Sequence, residues 1–231
     1  MLKKLAAVSI LASAAMAGCV IAKTWSVSQN GYQSVVATSD QTPKMTLPSE
    51  IWSISPASVL GIISYVDAKN RADQVREQFG VEDPAQYIAS SLGQHIATTL
   101  GVQSFDKPSG LASSFESVHF SLRSGRELAT TYGKSALVVN VGTENWFADT
   151  VGKDRYRVSY AVKAQLVDTN TEKVLASKEC MAPLKKRNDA PQLSDMLASN
   201  AESLKTELRE AADYCLGIFR KELFVSATSA Q

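Results

Sequence analysis

The segment 153–168 (KDRYRVSYAVKAQLVD) constrains the fold most strongly, because apolar and polar side chains alternate along it. Alternation with a period of two predicts a β-strand with one covered face. The apolar positions are Tyr156, Val158, Tyr160, Val162, Ala164 and Leu166, and the opposite positions are Arg155, Arg157, Ser159, Lys163 and Gln165. A polar turn at 169–172 and a returning strand at 173–182 complete a long hairpin.

Amphipathic helices are available to cover that hairpin. Asp83 can cap a helix in which Pro84 takes the first position, and Gly101 ends it. Its apolar stripe is Ile88, Leu92, Ile96 and Leu100. Another helix is predicted over 122–132. A long one runs from Ser194 to about Phe224, with a buried side made of Leu197, Ala201, Leu204, Leu208, Ala211, Cys215, Ile218 and Leu223.

The remaining segments complete the fold class. Strands are predicted over 59–66 and 135–141, with a short one at 32–38, a short helix over 70–79 and a loop over 105–114. A strand face of this kind needs a covering layer, which the helices supply. The sequence therefore predicts an α+β (α/β) two-layer sandwich, in which helices cover a mixed sheet with a long C-terminal hairpin.

The N-terminus has the layout of a secretory signal peptide. Lys3 and Lys4 precede an apolar run over 5–17, which is shorter than the roughly 20 residues of a bilayer-spanning helix. The sequence Met16-Ala17-Gly18-Cys19 resembles the lipobox of bacterial lipoproteins, although Met16 replaces the usual Leu. That resemblance implies acylation of Cys19 and firm membrane anchoring. Val20 follows the cysteine where an Asp would direct inner-membrane retention, which favours the outer membrane and a body facing the periplasm.

Two alternatives to lipidation remain open. The triplet Ala15-Met16-Ala17 also suits ordinary signal peptidase, which would cut before Gly18 and release a soluble protein. The other alternative is that the apolar run is not cleaved and is retained as a signal anchor.

The predicted organisation is a signal peptide over 1–18, a lipidated N-terminus and tether over 19–50, one domain over 51–225 and a tail over 226–231. Loss of residues 1–18 from the 231-residue chain leaves 213 residues, which suits one ordinary domain with a tail. It also leaves 22 basic against 23 acidic residues. This nearly neutral balance argues against a nucleic-acid partner.

Cysteine usage agrees with an exported protein. If Cys19 carries lipid, Cys180 and Cys215 remain as an even pair, and an oxidising compartment allows them to form a disulfide. A bridge would link the hairpin to the last helix. Two free buried cysteines are the alternative.

A strand SALVVNV, then the hairpin YRVSYAVKAQLVDTNTEKVLAS, then a terminal helix resembles a recurring periplasmic pattern. The resemblance is to the domain shared by the N-terminal part of TolB, the curli-secretion lipoprotein CsgG and the penicillin-binding-protein activator LpoB. It covers roughly residues 83–223 and rests locally on Leu166-Val167-Asp168-Thr169 with Thr171. Lys173 follows Glu172 where that family often has Gly. The resemblance implies a non-enzymatic envelope protein that acts through contacts.

The sequence offers little for catalysis. Its two histidines, His95 and His119, lack metal-ligand spacing, so no metal or cofactor is predicted. Gly133-Lys134-Ser135 follows a predicted helix and opens a strand, which is the wrong context for a phosphate loop. The sequence has no Gly-x-Ser-x-Gly elbow. We therefore expect a protein that is not an enzyme.

Two surface features are candidates for partner binding. Arg155, Arg157 and Lys163 share a strand face, near Lys178 if the hairpin is in register, and could receive an anionic partner such as peptidoglycan or lipid headgroups. Trp146 falls where the strand over 135–141 should end and could anchor an interface. A solvated strand face and a residue at the rim of the core are the simpler interpretations.

Three functions follow as hypotheses. The first is an outer-membrane-anchored periplasmic lipoprotein that serves without catalysis as an interaction or accessory subunit of an envelope assembly. Its partners would be the membrane, through the acyl chains, and an envelope protein or peptidoglycan. The second is a module that binds a lipid or small ligand, and the third is a periplasmic hydrolase of unrecognised type.

Overall fold

The computed structural model describes residues 31–40, 72–107, 122–152, 155–183 and 187–223. Its strands are β1 (Ser34–Ser39), β2 (Gln103–Asp106), β3 (Ala136–Gly152), β4 (Arg155–Asp168) and β5 (Lys173–Met181). Its helices are α1 (72–79), α2 (Ala85–Leu100), α3 (Gly125–Tyr132) and α4 (Leu193–Glu222). A single 3₁₀ turn, Arg187–Asp189, precedes α4.

The strands form one mixed sheet in the order β2-β1-β3-β4-β5. β1 pairs in parallel with β2 and β3, whereas β3, β4 and β5 are antiparallel neighbours. α2 and α4 pack on one face of this sheet and enclose the main core with α1. The predicted α+β fold, with helices covering a mixed sheet, is therefore confirmed.

A short helix on the second face adds to the predicted two layers. Leu128 of α3 packs with Val36, Val138 and Val167, which alternate with the core-facing residues of β1, β3 and β4. The hydroxyl of Ser124 accepts from the Glu127 N–H at 3.3 Å, so α3 begins three residues later than the prediction over 122–132.

Strand β1 corrects the predicted tether. The short strand expected at 32–38 is present at 34–39, but it lies between β2 and β3 and is buried on both faces. The folded domain therefore includes residues that the sequence assigned to a tether over 19–50. Polar residues surround only two valines here, so the segment lacks the apolar length typical of a central strand. The boundaries at residues 18, 50 and 225 lie outside the described residues.

Helix α2 agrees closely with its prediction. The stripe Ile88, Leu92, Ile96 and Leu100 is buried, and Gly101 ends the helix in a left-handed conformation with φ of 69°. The helix begins at Ala85, one residue after Pro84, which was predicted to take the first position. The Ala85 N–H donates to Asp83 Oδ1 at 2.9 Å, so Asp83 bonds a free N–H group at this end as expected. A Cβ on Gly93 would lie 2.8 Å from the Cβ of Ala37, so α2 packs unusually close to β1.

Strands β2 and β3 depart from the prediction. β2 forms at the start of the predicted loop over 105–114, because pairing with β1 satisfies its backbone despite its polar sequence. β3 continues to residue 152, well beyond the predicted end at 141, and pairs with β4 along that length. The register shift between Thr143 and Asn145 marks a bulge, which interrupts the alternation that sequence reasoning follows.

The hairpin of β4 and β5 matches its predicted faces. Five of the six predicted apolar residues of β4 are buried in the main core, and Tyr156 packs against it partly buried. In the turn, Asp168 accepts from the Asn170 N–H at 2.9 Å and from the Thr171 hydroxyl at 2.7 Å. These bonds fix the connection between the two strands.

Helix α4 covers the predicted range but is not continuous. Residues 198–201 leave the helical conformation, and Ser199, Asn200 and Ala201 have positive φ values of 51°, 64° and 57°. Regular apolar spacing through this region predicted one unbroken helix, and that prediction is wrong here. The Gln192 N–H, not Ser194, makes the initial contact, donating to Asp195 Oδ2 at 3.4 Å.

Several predictions lie outside the described residues. These are the signal peptide and Cys19, the strand over 59–66, His119 and the tail over 226–231.

Candidate functional site

The predicted disulfide is present. Cys180 of β5 and Cys215 of α4 are joined, with 5.6 Å between their Cα atoms, and both are buried. The bridge fastens the last helix to the edge strand of the sheet. Disulfides persist in oxidising compartments, so this pair suits a protein exported from the cytoplasm.

The structure does not assemble the predicted basic surface. Lys163 Nζ donates to Glu179 at 2.6 Å across the hairpin, which neutralises its charge locally. Lys178 lies on the opposite face, beside Ala164 in the register, and pairs with Glu222 of α4. Arg155 Nη1 donates to the Ala190 carbonyl at 2.7 Å, and Arg157 is half-buried. These side chains serve internal contacts, so they do not form one cationic patch.

Trp146 is not a surface anchor. It is 1% exposed, and the guanidinium of Arg76 lies 5.4 Å from its ring centroid. The prediction of a partner-facing Trp146 is therefore wrong. Because β3 extends past residue 141 through a bulge, Trp146 faces Tyr160 in the register and enters the core.

A polar cluster that the sequence did not reveal lies on the second face of the sheet. We call it the Arg123 cluster: Thr38, Asp40, Arg123, Tyr132, Asn140 and Gln165. Arg123 Nε donates to Asp40 Oδ1 at 2.5 Å, and its backbone N–H donates to Oδ2 of the same carboxylate at 3.1 Å. Asn140 Nδ2 donates to Asp40 at 2.8 Å, and Gln165 Nε2 donates to the Arg123 carbonyl at 2.6 Å. The cluster joins the end of β1 to α3, β3 and β4.

The cluster is shielded from solvent. The side chains of Arg123 and Asp40 are 17% and 12% exposed. Burial alone lowers the pKa of Arg123, but the Asp40 charge and the Tyr132 hydroxyl outweigh it and raise that pKa above its ordinary value. The guanidinium also lies 5.6 Å from the Tyr132 ring centroid. Arg123 therefore stays charged and held by its partners.

Two buried atoms of the cluster have no hydrogen-bond partner within the described ranges: Arg123 Nη1, a donor, and Asn140 Oδ1, an acceptor. Buried polar atoms are normally paired. These two atoms are therefore the groups of the cluster that could take a further polar partner. Sequence reasoning missed the cluster because its members lie far apart in the chain. The local sequence signal near Arg123 is Ser124 followed three residues later by Glu127, a spacing typical of a helix N-terminus.

A second set of hydrogen-bonded polar side chains holds the start of α2. The Thr143 hydroxyl donates to Asp83 Oδ1 at 2.7 Å and lies 3.1 Å from the Tyr160 hydroxyl. Burial raises the pKa of Tyr160 well above its ordinary value, the Asp83 charge adds to the rise, and the Thr143 hydrogen bond opposes it. Tyr160 therefore remains a neutral phenol, which suits a structural role.

An open groove of about 590 Å³ runs across α2. It is lined by Ser90, Ser91, Gln94, His95, Thr98, Asp106 and Arg220. His95 thus lies at the surface, beside the apolar stripe as predicted. Nowhere in the described ranges do three or more His, Cys, Asp or Glu side chains converge in a way that could hold a metal ion.

Among the described residues, no helix combines the length and apolar character that crossing a bilayer requires.

The sequence matches no protein-family model and no curated protein. Solved structures resemble it at low identity. Protein XCC0632 from Xanthomonas campestris is 10% identical, with 81% of this chain and 83% of that chain covered and a TM-score of 0.36. The PelC dodecamer from Paraburkholderia phytofirmans is 14% identical over 78% and 88%, with a TM-score of 0.31. Lipoprotein GNA1162 from Neisseria meningitidis is 12% identical over 80% and 99%, with a TM-score of 0.30.

Proposed function

We propose that this chain is an outer-membrane-anchored lipoprotein whose periplasmic domain acts through contacts, as an interaction or accessory subunit of an envelope assembly. The observation that carries the proposal is the disulfide between Cys180 and Cys215. It accounts for two of the three cysteines and leaves Cys19 alone in its lipobox-like sequence. In an exported protein with three cysteines, one cannot form a disulfide within the chain. Acylation would give that cysteine, Cys19, a function.

The internal contacts of the domain support a role in binding rather than in catalysis. The charged groups that would serve a catalytic site are held in structural pairs, such as Arg123 with Asp40 and Lys163 with Glu179. Buried Tyr160 has a raised pKa, so it is a poor source of a phenolate nucleophile at neutral pH. The surfaces of such a domain remain available for contact with a partner. The resemblance to the TolB, CsgG and LpoB domain implies the same kind of role.

Intact mass tests the anchor and the disulfide together. Protein from the membrane fraction is alkylated before and after reduction. We expect the mass of residues 19–231 plus three acyl chains, no alkylation before reduction and two alkylated thiols after it. A Cys19→Ser variant serves as the matched control and should leave the membrane fraction. A mass that begins at Gly18 without lipid would overturn the proposal.

Membrane destination and partner are tested next. Density-gradient fractionation should place the parent chain with the outer membrane, and Val20→Asp should move it to the inner membrane while Val20→Asn does not. Crosslinking in intact cells, followed by mass spectrometry, should recover a defined envelope protein or peptidoglycan fragments. Recovery of neither, with the anchor intact, would refute the accessory role alone.

One observation favours the second candidate function, binding of a small ligand. Arg123 Nη1 and Asn140 Oδ1 are a buried donor and acceptor without a described partner. Native mass spectrometry of the purified protein tests it. An added mass that disappears in an Asn140→Leu variant would support ligand binding, and an unmodified mass in the parent would refute it.

A further inference from the structure

The outer face of α2 differs from every other helix surface that the structure describes in full. None of the 16 residues of α2 is Asp, Glu, Lys or Arg. Its outward residues are Gln86, Ser90, Ser91, Gln94, His95, Thr98 and Thr99. Tyr87, on the side next to α4, is bonded to Asp213 and lies under the guanidinium of Arg209. Exposed positions of α4 include Glu202, Arg209, Glu210, Asp213, Arg220 and Lys221. Charged residues are usual on solvated helix faces and depleted at the centres of interfaces.

We propose that this uncharged face of α2, with its two charged rims, is a surface on which a second copy of this chain docks. The proposal goes beyond the accessory role, because it names an interface and its occupant without depending on the anchor.

Several polar groups of the face already have intramolecular partners. The Thr98 hydroxyl donates to the Gln94 carbonyl at 2.8 Å, and the Thr99 hydroxyl donates to the His95 carbonyl at 3.0 Å. Gln86 Nε2 donates to the Ser90 hydroxyl at 3.1 Å. Burial of a polar group is costly chiefly when it is left unpaired. These side chains can therefore lose their water at little cost.

Charges occur only at the two rims of the groove. Asp106 belongs to edge strand β2, Arg220 belongs to α4, and α2 lies between these elements. Within the described residues, neither rim residue forms an ion pair with another part of its own chain. The lining of the groove is thus neutral overall and oppositely charged at its two sides, and the neighbouring Arg209 and Asp213 of α4 pair with each other.

That arrangement is self-complementary. In a two-fold dimer, residue i of one copy meets residue j of the other, and j meets i. A two-fold axis parallel to α2 exchanges the two rims, so the Asp106 rim of each copy faces the Arg220 rim of the other, with the uncharged residues between them. A strongly anionic polymer would require a net positive groove instead. Rings that stack on sugars are absent from the residues that line the groove.

The area of the α2 face sets the expected affinity of the dimer. A 16-residue helix is about 24 Å long, and with both rims the face is about 20 Å wide, or about 500 Å² per copy. Stable complexes bury about 800 Å² per partner, so a reversible, concentration-dependent dimer is expected.

Charge exchange tests the pairing directly. The full-length chain is purified from detergent extracts of whole cells, and its molar mass is measured by sedimentation equilibrium in density-matched detergent over a concentration series. Five forms are compared with the parent: Asp106→Arg, Arg220→Asp, the double exchange, Thr98→Lys and Glu202→Arg. The last makes the same acid-to-Arg change at an exposed position of α4 outside the groove.

We expect the parent and Glu202→Arg to approach twice the protomer mass. Each single exchange should weaken association at least tenfold, and the double exchange should restore it. Thr98→Lys, which places a charge at the centre of the face, should also give a protomer. Far-ultraviolet circular dichroism checks that each variant is folded.

Three results would overturn the proposal. The first is a protomer mass for the parent at every concentration. The second is a dimer that the single exchanges and Thr98→Lys leave unchanged. The third is an α2 face that is occupied by a different protein or a glycan while the chain itself stays a protomer.

Discussion

Removal of the disulfide between Cys180 and Cys215 is expected to cost about 4 kcal/mol of unfolding free energy. The bridge closes a loop of 35 residues. On the chain-entropy account, such a loop restricts the unfolded chain by roughly 13 cal/mol/K, or about 4 kcal/mol at 25 °C. The change is large because whole domains are stable by only about 5–15 kcal/mol.

Urea unfolding of the oxidised and the reduced parent measures this difference, with circular dichroism and tryptophan fluorescence as independent probes. Reduction breaks the crosslink without removing any side chain. A Cys180→Ala, Cys215→Ala variant should lose slightly more, because both sites are buried and alanine leaves part of the volume empty. The slope of the unfolding free energy against urea concentration should also increase, because an unfolded chain without the crosslink exposes more surface.

Two results would refute the reasoning. A loss below about 1 kcal/mol on reduction would show that the crosslink does not act through the unfolded chain. The alanine variant should have the same unfolding free energy with and without reductant. A change in its unfolding free energy on reduction would assign the effect to another thiol.

Three further predictions concern packing, the polar cluster and pH. Gly125→Ala should destabilise the protein by about 1–3 kcal/mol, because its Cβ would lie 2.1 Å from a backbone oxygen, whereas Gly217→Ala meets nothing and should be neutral or stabilising in urea unfolding. Arg123→Met should cost about 3 kcal/mol by leaving the shielded Asp40 carboxylate without its ion-pair partner, and an added Asp40→Leu should recover only part of the loss, because Asn140 Nδ2 and the N–H of residue 123 then lack their acceptor. Burial and a nearby carboxylate raise the pKa of Glu144, so its contribution to stability is lost as pH rises. Glu144→Gln should therefore raise the urea midpoint at pH 7 but not below pH 4.5, and an unchanged midpoint at pH 7 would contradict this.

Sequence reasoning succeeded where a local pattern reports directly on burial. The alternation along β4 and the four-residue spacing of Ile88 to Leu100 both reflect one covered face, and both predictions hold. It failed where pairing partners decide the outcome. β2 is a polar segment that becomes a strand only because β1 lies beside it. Trp146 is buried only because a bulge lets β3 continue.

The same distinction applies to the candidate site. The disulfide could be predicted because two cysteines each face a recognisable core element. The Arg123 cluster could not, since Asp40 and Arg123 are 83 positions apart and neither belongs to a motif. The break in α4 also escaped prediction, because the apolar spacing through Ala201 continues as though the helix were regular.

The central position of β1 has a consequence for how the chain matures. Ser34 pairs with Ala136, so the middle of the sheet joins segments that are 102 positions apart. Such non-local pairing slows folding, because a long loop must close before the contacts form. A chain that is made from its N-terminus presents β1 first, and that strand lacks its β3 partner until β3 has followed. Newly made molecules therefore expose a strand edge until β3 has followed, and at this stage the chain is most open to aggregation and to chaperones.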